Sequence, residues 1–168
     1  LLYGENTIGG TANGAGNLIS GNGHDRVFID GASAANNIVQ GNLVGTSAGG
    51  SGGMGNGRAG VGICDAAGNT IGGTTAGAGN VLSANGDAGI YLLASGATGN
   101  LIQGNIIGAD LTGTLPLGNT SEGIYIERAV SNVIGGTLSG AGNLIAANNV
   151  QGILMTNASW NQVQGNLI

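Results

Sequence analysis

Short apolar segments, most of them led by asparagine or glycine, recur along the whole chain in a fixed order. The stretch NTIGGTANGAGNLISGN at Asn6 returns as NTIGGTTAGAGNVLSAN at Asn69 and as NVIGGTLSGAGNLIAAN at Asn132, so the offset is 63 residues both times. A constant long period is typical of stacked copies of one supersecondary unit, because a single copy cannot bury its apolar side chains alone. The pattern therefore predicts a solenoid.

Each period contains two turns, and each turn contains three short strands. One strand has the pattern G-I-x-I and begins at Gly89, Gly123 and Gly152, with variants at Arg26 and Gly60. Two further apolar segments, each led by Asn, lie between consecutive G-I-x-I segments. Because equivalent segments are about 30 residues apart in the chain, they must pair in parallel rather than as hairpins. We therefore predict an all-β fold, a parallel β-solenoid with three faces and about five turns.

The Asn that opens each of these segments lies two residues before an apolar residue that is predicted to point into the core. Alternation along a strand then directs the amide inward at a corner, where amides stacked about 4.8 Å apart can hydrogen-bond along the axis. Selection of Asn for tight corners alone is the alternative, but two unbroken series favour structural ladders. The first series is Asn6, Asn37, Asn69, Asn100, Asn132 and Asn161, and the second is Asn17, Asn42, Asn80, Asn105, Asn143 and Asn166.

The residue after each Asn of the second series is apolar in all six turns, although alternation predicts that it points outward. Two explanations are open: either the corner turns both positions inward, or a hydrophobic stripe runs along the solenoid and packs against a partner. The six residues are Leu18, Leu43, Val81, Ile106, Leu144 and Leu167.

Composition excludes several classes of function. The chain has 38 Gly and 21 Asn but no Lys and three Arg, with a formal charge of −5, so it lacks the cationic surface that nucleic-acid binding requires. The single cysteine, Cys64, permits no intramolecular disulfide and provides no metal-binding spacing. No apolar run approaches the length of a membrane span. We expect no nucleic-acid partner, no membrane span, no metal and no cofactor.

The motifs NxIGGT, AGNxIS, GNxIQGN and GNxxxG recur throughout the chain. In these motifs it resembles the right-handed parallel β-helix repeat proteins of bacterial exported and surface polypeptides, a wider group that includes the pectate-lyase-like enzymes. The resemblance covers essentially all 168 residues. It implies right-handed coiling, an extracellular or cell-surface location, and contact with carbohydrate or adhesion. It transfers no catalytic residue to this chain.

Charged and aromatic residues collect around the G-I-x-I strands. Nine of the eleven acidic and basic residues lie in or beside these strands, and the outward column between them contains Phe28, Tyr91 and Tyr125. Rings that stack on sugar faces beside carboxylates that accept hydroxyl protons are typical of carbohydrate sites, although rings also suit any exposed strand and acids keep a solenoid soluble. The candidate carbohydrate face comprises Phe28, Tyr91, Tyr125, Asp87, Glu122, Glu127 and Arg128.

Three functions remain as hypotheses. The first is a structural or adhesive solenoid segment, possessing a carbohydrate-binding face. The second is a portion of a polysaccharide lyase, hydrolase or epimerase, in which Asp87 and Glu122 on adjacent turns approach the separation of about 5 to 9.5 Å found in glycosidases. Both are expected to face outward without desolvation, so no catalytic residue is assigned. The third is a self-assembling filament module.

The chain is predicted to form one β-helix segment over residues 1–168. Its repeats are 6–68, 69–131 and a partial copy, 132–168. Neither end shows a capping helix or a closing turn, and open solenoid ends expose apolar core and unpaired strand edges. We therefore expect the segment to continue into further turns or to stack end to end.

Overall fold

The computed structural model describes residues 3–24 and 27–168. Asp25 and Arg26, at the start of the first predicted G-I-x-I segment, lie outside the described residues, as do Leu1 and Leu2. The strands of the described residues are β1 (Thr7–Gly9), β2 (Leu18–Ile19), β3 (Val27–Asp30), β4 (Ile38–Gln40), β5 (Leu43–Val44), β6 (Val61–Cys64), β7 (Thr70–Gly72), β8 (Val81–Leu82), β9 (Ile90–Leu93), β10 (Leu101–Gln103), β11 (Ile106–Ile107), β12 (Ile124–Glu127), β13 (Val133–Gly135), β14 (Leu144–Ile145), β15 (Ile153–Thr156) and β16 (Gln162–Gln164).

These strands form three sheets in which every named strand pairs in parallel with its equivalents in the adjacent turns. Sheet A has the order β1-β4-β7-β10-β13-β16, sheet B has β2-β5-β8-β11-β14, and sheet C has β3-β6-β9-β12-β15. Sheet C contains the G-I-x-I strands. The all-β solenoid of about five turns is confirmed, and the arrangement is consistent with the right-handed parallel β-helix. The described residues contain no helix that could cross a membrane.

The core lies between the three sheets and follows the predicted alternation. Each central turn contributes fully buried aliphatic side chains from all three faces, such as Ile71 from sheet A, Leu82 from sheet B and Leu92 from sheet C. Three predicted core residues of the last turn, Met155, Val163 and Ile168, are exposed instead. They have a neighbouring turn on one side only, so half of their packing surface is open.

Asparagine ladders run along three corners, one more than the sequence predicted. Within each ladder, the Nδ2 amide of one Asn donates to Oδ1 of the Asn in the next turn, as Asn69 does to Asn100 at 3.1 Å and Asn80 to Asn105 at 2.9 Å. Both predicted series form unbroken ladders of this kind. The third ladder consists of Asn22, Asn56, Asn85, Asn119 and Asn148.

The apolar column of sheet B lies outside the main core, so the corner does not turn both positions inward. Leu18 is 48% exposed and Val81 is only 3% exposed, and neither belongs to the central cluster of buried side chains. Loops cover part of the column: a Cβ atom at Gly113, in the loop after β11, would lie 2.8 Å from Leu144 Cδ2. The middle of this column is therefore partly covered from within the chain, whereas Leu18 and Leu167 at its two ends are exposed.

Loops that are two turns apart contact each other directly, which matches the repeat of two turns. The loops at 45–56 and 108–119 come from alternate turns, and Leu111 N donates a 2.9 Å hydrogen bond to the Gly50 carbonyl oxygen. The turn between them has a tight corner at the same place, which leaves room for the two loops to meet. Long and short corners must therefore alternate, and the smallest unit that repeats is 63 residues rather than one turn.

Candidate carbohydrate-binding face

The outer surface of sheet C has an aromatic pair at its centre. Tyr91 on β9 and Tyr125 on β12 are directly opposite each other in the register of the two strands. Their ring centroids are 5.0 Å apart and the ring planes differ by 9°, so the rings are stacked along the solenoid axis. Each ring therefore has one face covered by the other ring, and only its far face and its edge remain available for a ligand.

Glu127 and Arg128 support this pair of rings. The Tyr91 hydroxyl donates to Glu127 Oε2 at 3.1 Å, and the Tyr125 hydroxyl lies 3.5 Å from the same oxygen. Arg128 Nε lies 3.5 Å from Glu127 Oε1. The structure thus brings together four of the predicted site residues, and it assigns Glu127 a role in holding the tyrosines in place.

A small cleft lies on the other side of Tyr91, over Gly62. It has a volume of about 150 Å³, and its lining includes Phe28, Tyr91, Asp87 and Arg58. Gly62 is paired with Phe28 on one side and with Tyr91 on the other. Three predicted site residues therefore meet here, together with Gly62 and Arg58, which the sequence-based site did not include. An interruption in an otherwise large-residue column was the sequence signal for Gly62.

The predicted carboxylate pair, Asp87 and Glu122, is not a matched pair in the structure. Asp87 is exposed at the rim of the cleft, whereas Glu122 is only 9% exposed and accepts a 2.6 Å hydrogen bond from Ser121 Oγ. The expectation that both face outward is therefore wrong for Glu122. Its carboxylate is engaged by a neighbour in the chain and does not line the cleft.

No protein-family model, no curated protein and no solved structure matches this chain. The pairing and register of the strands alone establish the parallel β-solenoid.

The described residues around sheet C favour neither a reactive thiol nor a metal centre. Burial raises the pKa of the Cys64 thiol, and hydrogen bonding to Asp30 and the charges of Asp30 and Asp65 raise it further, so the thiolate is disfavoured. Within residues 3–24 and 27–168, no group of three or more His, Cys, Asp and Glu side chains is arranged to hold a metal ion.

The Tyr91 hydroxyl provides a direct test of this geometry. Burial, followed by the hydrogen bond to Glu127 and the charge of that carboxylate, raises the pKa of Tyr91 to about 12 from its ordinary 10.0. Between these two values the unfolded chain has lost a proton that the folded chain keeps. The Tyr91 contribution to the free energy of unfolding is therefore complete below pH 10 and is lost as the pH rises towards 12.

We expect Glu127→Gln to lower the pKa of Tyr91 only part of the way, because burial is the larger cause and remains. A titration of tyrosinate absorbance on the folded protein measures this pKa. Glu5→Gln is the matched control, since it removes the same charge from a corner of the first turn. A Tyr91 titration that is identical in the two variants would contradict the contact with Glu127.

Proposed function

We propose that this chain is a structural and adhesive β-solenoid segment of an exported bacterial protein, located outside the cell or on its surface, whose sheet C binds polysaccharide. The solenoid provides a scaffold of parallel strands in which equivalent positions of adjacent turns are neighbours. This architecture and the recurring motifs support a relationship to exported β-helix repeat proteins. Fold alone does not determine activity, so the proposal depends on what sheet C presents to a ligand.

The observation that carries the proposal is the combination of rings, carboxylate and guanidinium on and beside the outer surface of sheet C. Phe28, Tyr91, Asp87 and Arg58 converge on one cleft, and Tyr125 extends the aromatic surface along the axis. Aromatic faces bury the apolar faces of sugar rings, and the charged groups supply hydrogen-bond acceptors and donors for hydroxyls. Because β9 and β12 each have a paired strand on both sides, the two tyrosines are held in place before a ligand arrives and little ordering is needed on binding.

A glycan array probed with the 168-residue chain tests the proposal. We expect polysaccharide ligands, and we expect Tyr91→Ala to weaken their binding by roughly tenfold, the effect of losing one well-buried aromatic contact. Tyr125→Ala should weaken binding less, because Tyr125 does not line the cleft. Both variants should keep the β-solenoid circular dichroism spectrum, since neither side chain belongs to the core cluster.

Tyr3→Ala is the matched control, because Tyr3 is 75% exposed and lies in the first turn, away from the cleft. Its binding should equal that of the unmodified chain. An array without any ligand, or ligands whose binding is unchanged by both tyrosine substitutions on sheet C, would exclude the carbohydrate role and leave a purely structural one.

A further inference from the structure

The outward aromatic column of sheet C has a gap at Gly62. From β3 to β12 the column contains Phe28, Gly62, Tyr91 and Tyr125 in consecutive turns. One face of Tyr91 is stacked on Tyr125, so its other face is directed towards the position where Gly62 has no side chain. The gap therefore leaves one face of the Tyr91 ring uncovered by the neighbouring turn.

Phe28 closes the opposite side of this gap. A Cβ atom at Gly62 would lie 2.8 Å from Phe28 Cδ2 and 3.1 Å from Phe28 Cε2, so the edge of the Phe28 ring lies over the glycine. The Phe28 and Tyr91 backbones are two strand spacings apart, about 9.6 Å. Both rings line the cleft of about 150 Å³, together with Gly62 and the aliphatic residues Ala59, Ile63 and Leu93. The cleft therefore has two aromatic walls and an otherwise apolar lining below its charged rim.

We propose that this cleft receives a single uncharged hexopyranose ring of a polysaccharide, held between Phe28 and Tyr91. The inference rests on the proposed function and names the class of sugar that the same site selects. The volume is well below the roughly 300 Å³ at which pockets begin to hold a drug-sized ligand. One ring therefore enters the cleft, and the rest of the polymer lies along sheet C.

The rim of the cleft suits hydroxyl groups. Asp87 offers an acceptor and Arg58 offers donors on the same cleft, and both side chains are exposed. A hydroxyl group is donor and acceptor at once, so a neutral sugar can satisfy both residues with neighbouring hydroxyls. A sugar carboxylate would suit Arg58 but would be repelled by Asp87.

The wider charge of this face also disfavours anionic sugars. The described acidic residues on and beside sheet C are Asp30, Asp65, Asp87, Glu122 and Glu127, whereas the described basic residues there are Arg58 and Arg128. A polyuronate chain lying along such a surface would place many negative charges near a net negative field, and this juxtaposition opposes binding. The same field has no such effect on a neutral glycan.

The test compares four hexasaccharides by isothermal titration calorimetry on the full 168-residue chain: cellohexaose, mannohexaose, β-1,4-linked galactohexaose and hexagalacturonic acid. We expect at least one of the three neutral probes to bind about tenfold more tightly than hexagalacturonic acid, with little dependence on salt. Tighter binding of hexagalacturonic acid would overturn the inference while leaving polysaccharide binding in place. Binding by none of the four would overturn the inference, and an array without ligands would separately overturn the proposed function.

Gly62→Tyr tests the position of the ring. The added side chain continues the aromatic column and fills the cleft, so the neutral probe should lose at least about tenfold in affinity. Leu154→Tyr is the matched control, because Leu154 is the neighbour of Tyr125 in the same column on the side away from the cleft. Unchanged binding in Gly62→Tyr, with the fold intact by circular dichroism, would overturn the cleft as the binding site.

Phe28→Leu keeps the test decisive if the larger side chain at position 62 disturbs the sheet. Phe28 is exposed and forms one wall of the cleft, so its removal should weaken binding of the neutral probe several-fold without unfolding the chain. Equal affinity in Phe28→Leu and the unmodified chain would overturn the proposed position of the sugar.

Discussion

Asn100→Ala is expected to lower the free energy of unfolding by about 4 kcal/mol, because it leaves buried backbone groups without partners. Asn100 Oδ1 accepts from the backbone N–H of Asn69 at 2.8 Å, and its Nδ2 donates to the Ala66 carbonyl oxygen at 3.1 Å. Both Asn69 and Asn100 are fully buried, so water cannot replace the lost bonds. Denaturant unfolding followed by circular dichroism measures the effect.

Asn13→Ala is the matched control, since Asn13 is exposed in a loop. Its effect should stay within about 0.5 kcal/mol, as for most surface substitutions. A loss below about 1 kcal/mol in Asn100→Ala would show that the ladder contributes little more than corner geometry.

Asn100→Asp separates hydrogen bonding from the loss of volume, because the two side chains have nearly the same shape. The introduced carboxylate still accepts from Asn69, but its second oxygen replaces the Nδ2 that donated to two acceptors, Ala66 O and Asn132 Oδ1. Burial and these acceptors raise the pKa of the introduced carboxyl in the folded state. The variant should therefore be least destabilised below about pH 4 and lose stability as the pH rises.

Gly72→Ala is expected to lower the free energy of unfolding by more than about 4 kcal/mol, or to prevent folding. Gly72 has a φ angle of +86°, and a Cβ atom there would overlap the Gln103 carbonyl oxygen and lie 2.6 Å from Asn105 Oδ1. Neither group can move without breaking the pairing between adjacent turns or a buried asparagine ladder. The clash and the strained backbone therefore act together.

Gly99→Ala is the matched control, because it introduces the same methyl group without the clash. Gly99 has a φ angle of +64°, and nothing lies within 4 Å of a Cβ atom there. The free energy of unfolding should therefore fall by only about 1 kcal/mol. This is the cost of the left-handed conformation, less the benefit that alanine loses less backbone entropy than glycine on folding. Equal losses in the two variants would show that packing between turns does not decide the effect at Gly72.

The two predicted asparagine ladders could be recognised from sequence because strand alternation aims each leading Asn inward. The third ladder was not predicted in this way, although its members also form an unbroken series. Asn56 and Asn85, for example, each lie five residues before the first inward residue of a sheet C strand, with a Gly-containing corner between. Alternation cannot be carried across such a corner, so only the stacking of turns shows that these amides meet.

The candidate site shows a similar division. The column of Phe28, Tyr91 and Tyr125 follows from the repeat, because equivalent positions of stacked strands must be neighbours. The position of the Phe28 ring over Gly62 and the burial of the Glu122 side chain do not follow from the repeat. Both depend on contacts with side chains and corners that differ from one repeat to the next.

The architecture of this protein is predictable from the sequence alone: three parallel sheets, the aliphatic columns of the core and two of the asparagine ladders. These features are set by strand alternation and by the 63-residue period, both of which can be read along the chain. The partial cover over the apolar column of sheet B and the cleft beside Tyr91 can be seen only in the folded chain. Loops such as those containing Gly50 and Leu111 meet from two turns apart, and contacts over that separation depend on how corners of unequal length fold over one another.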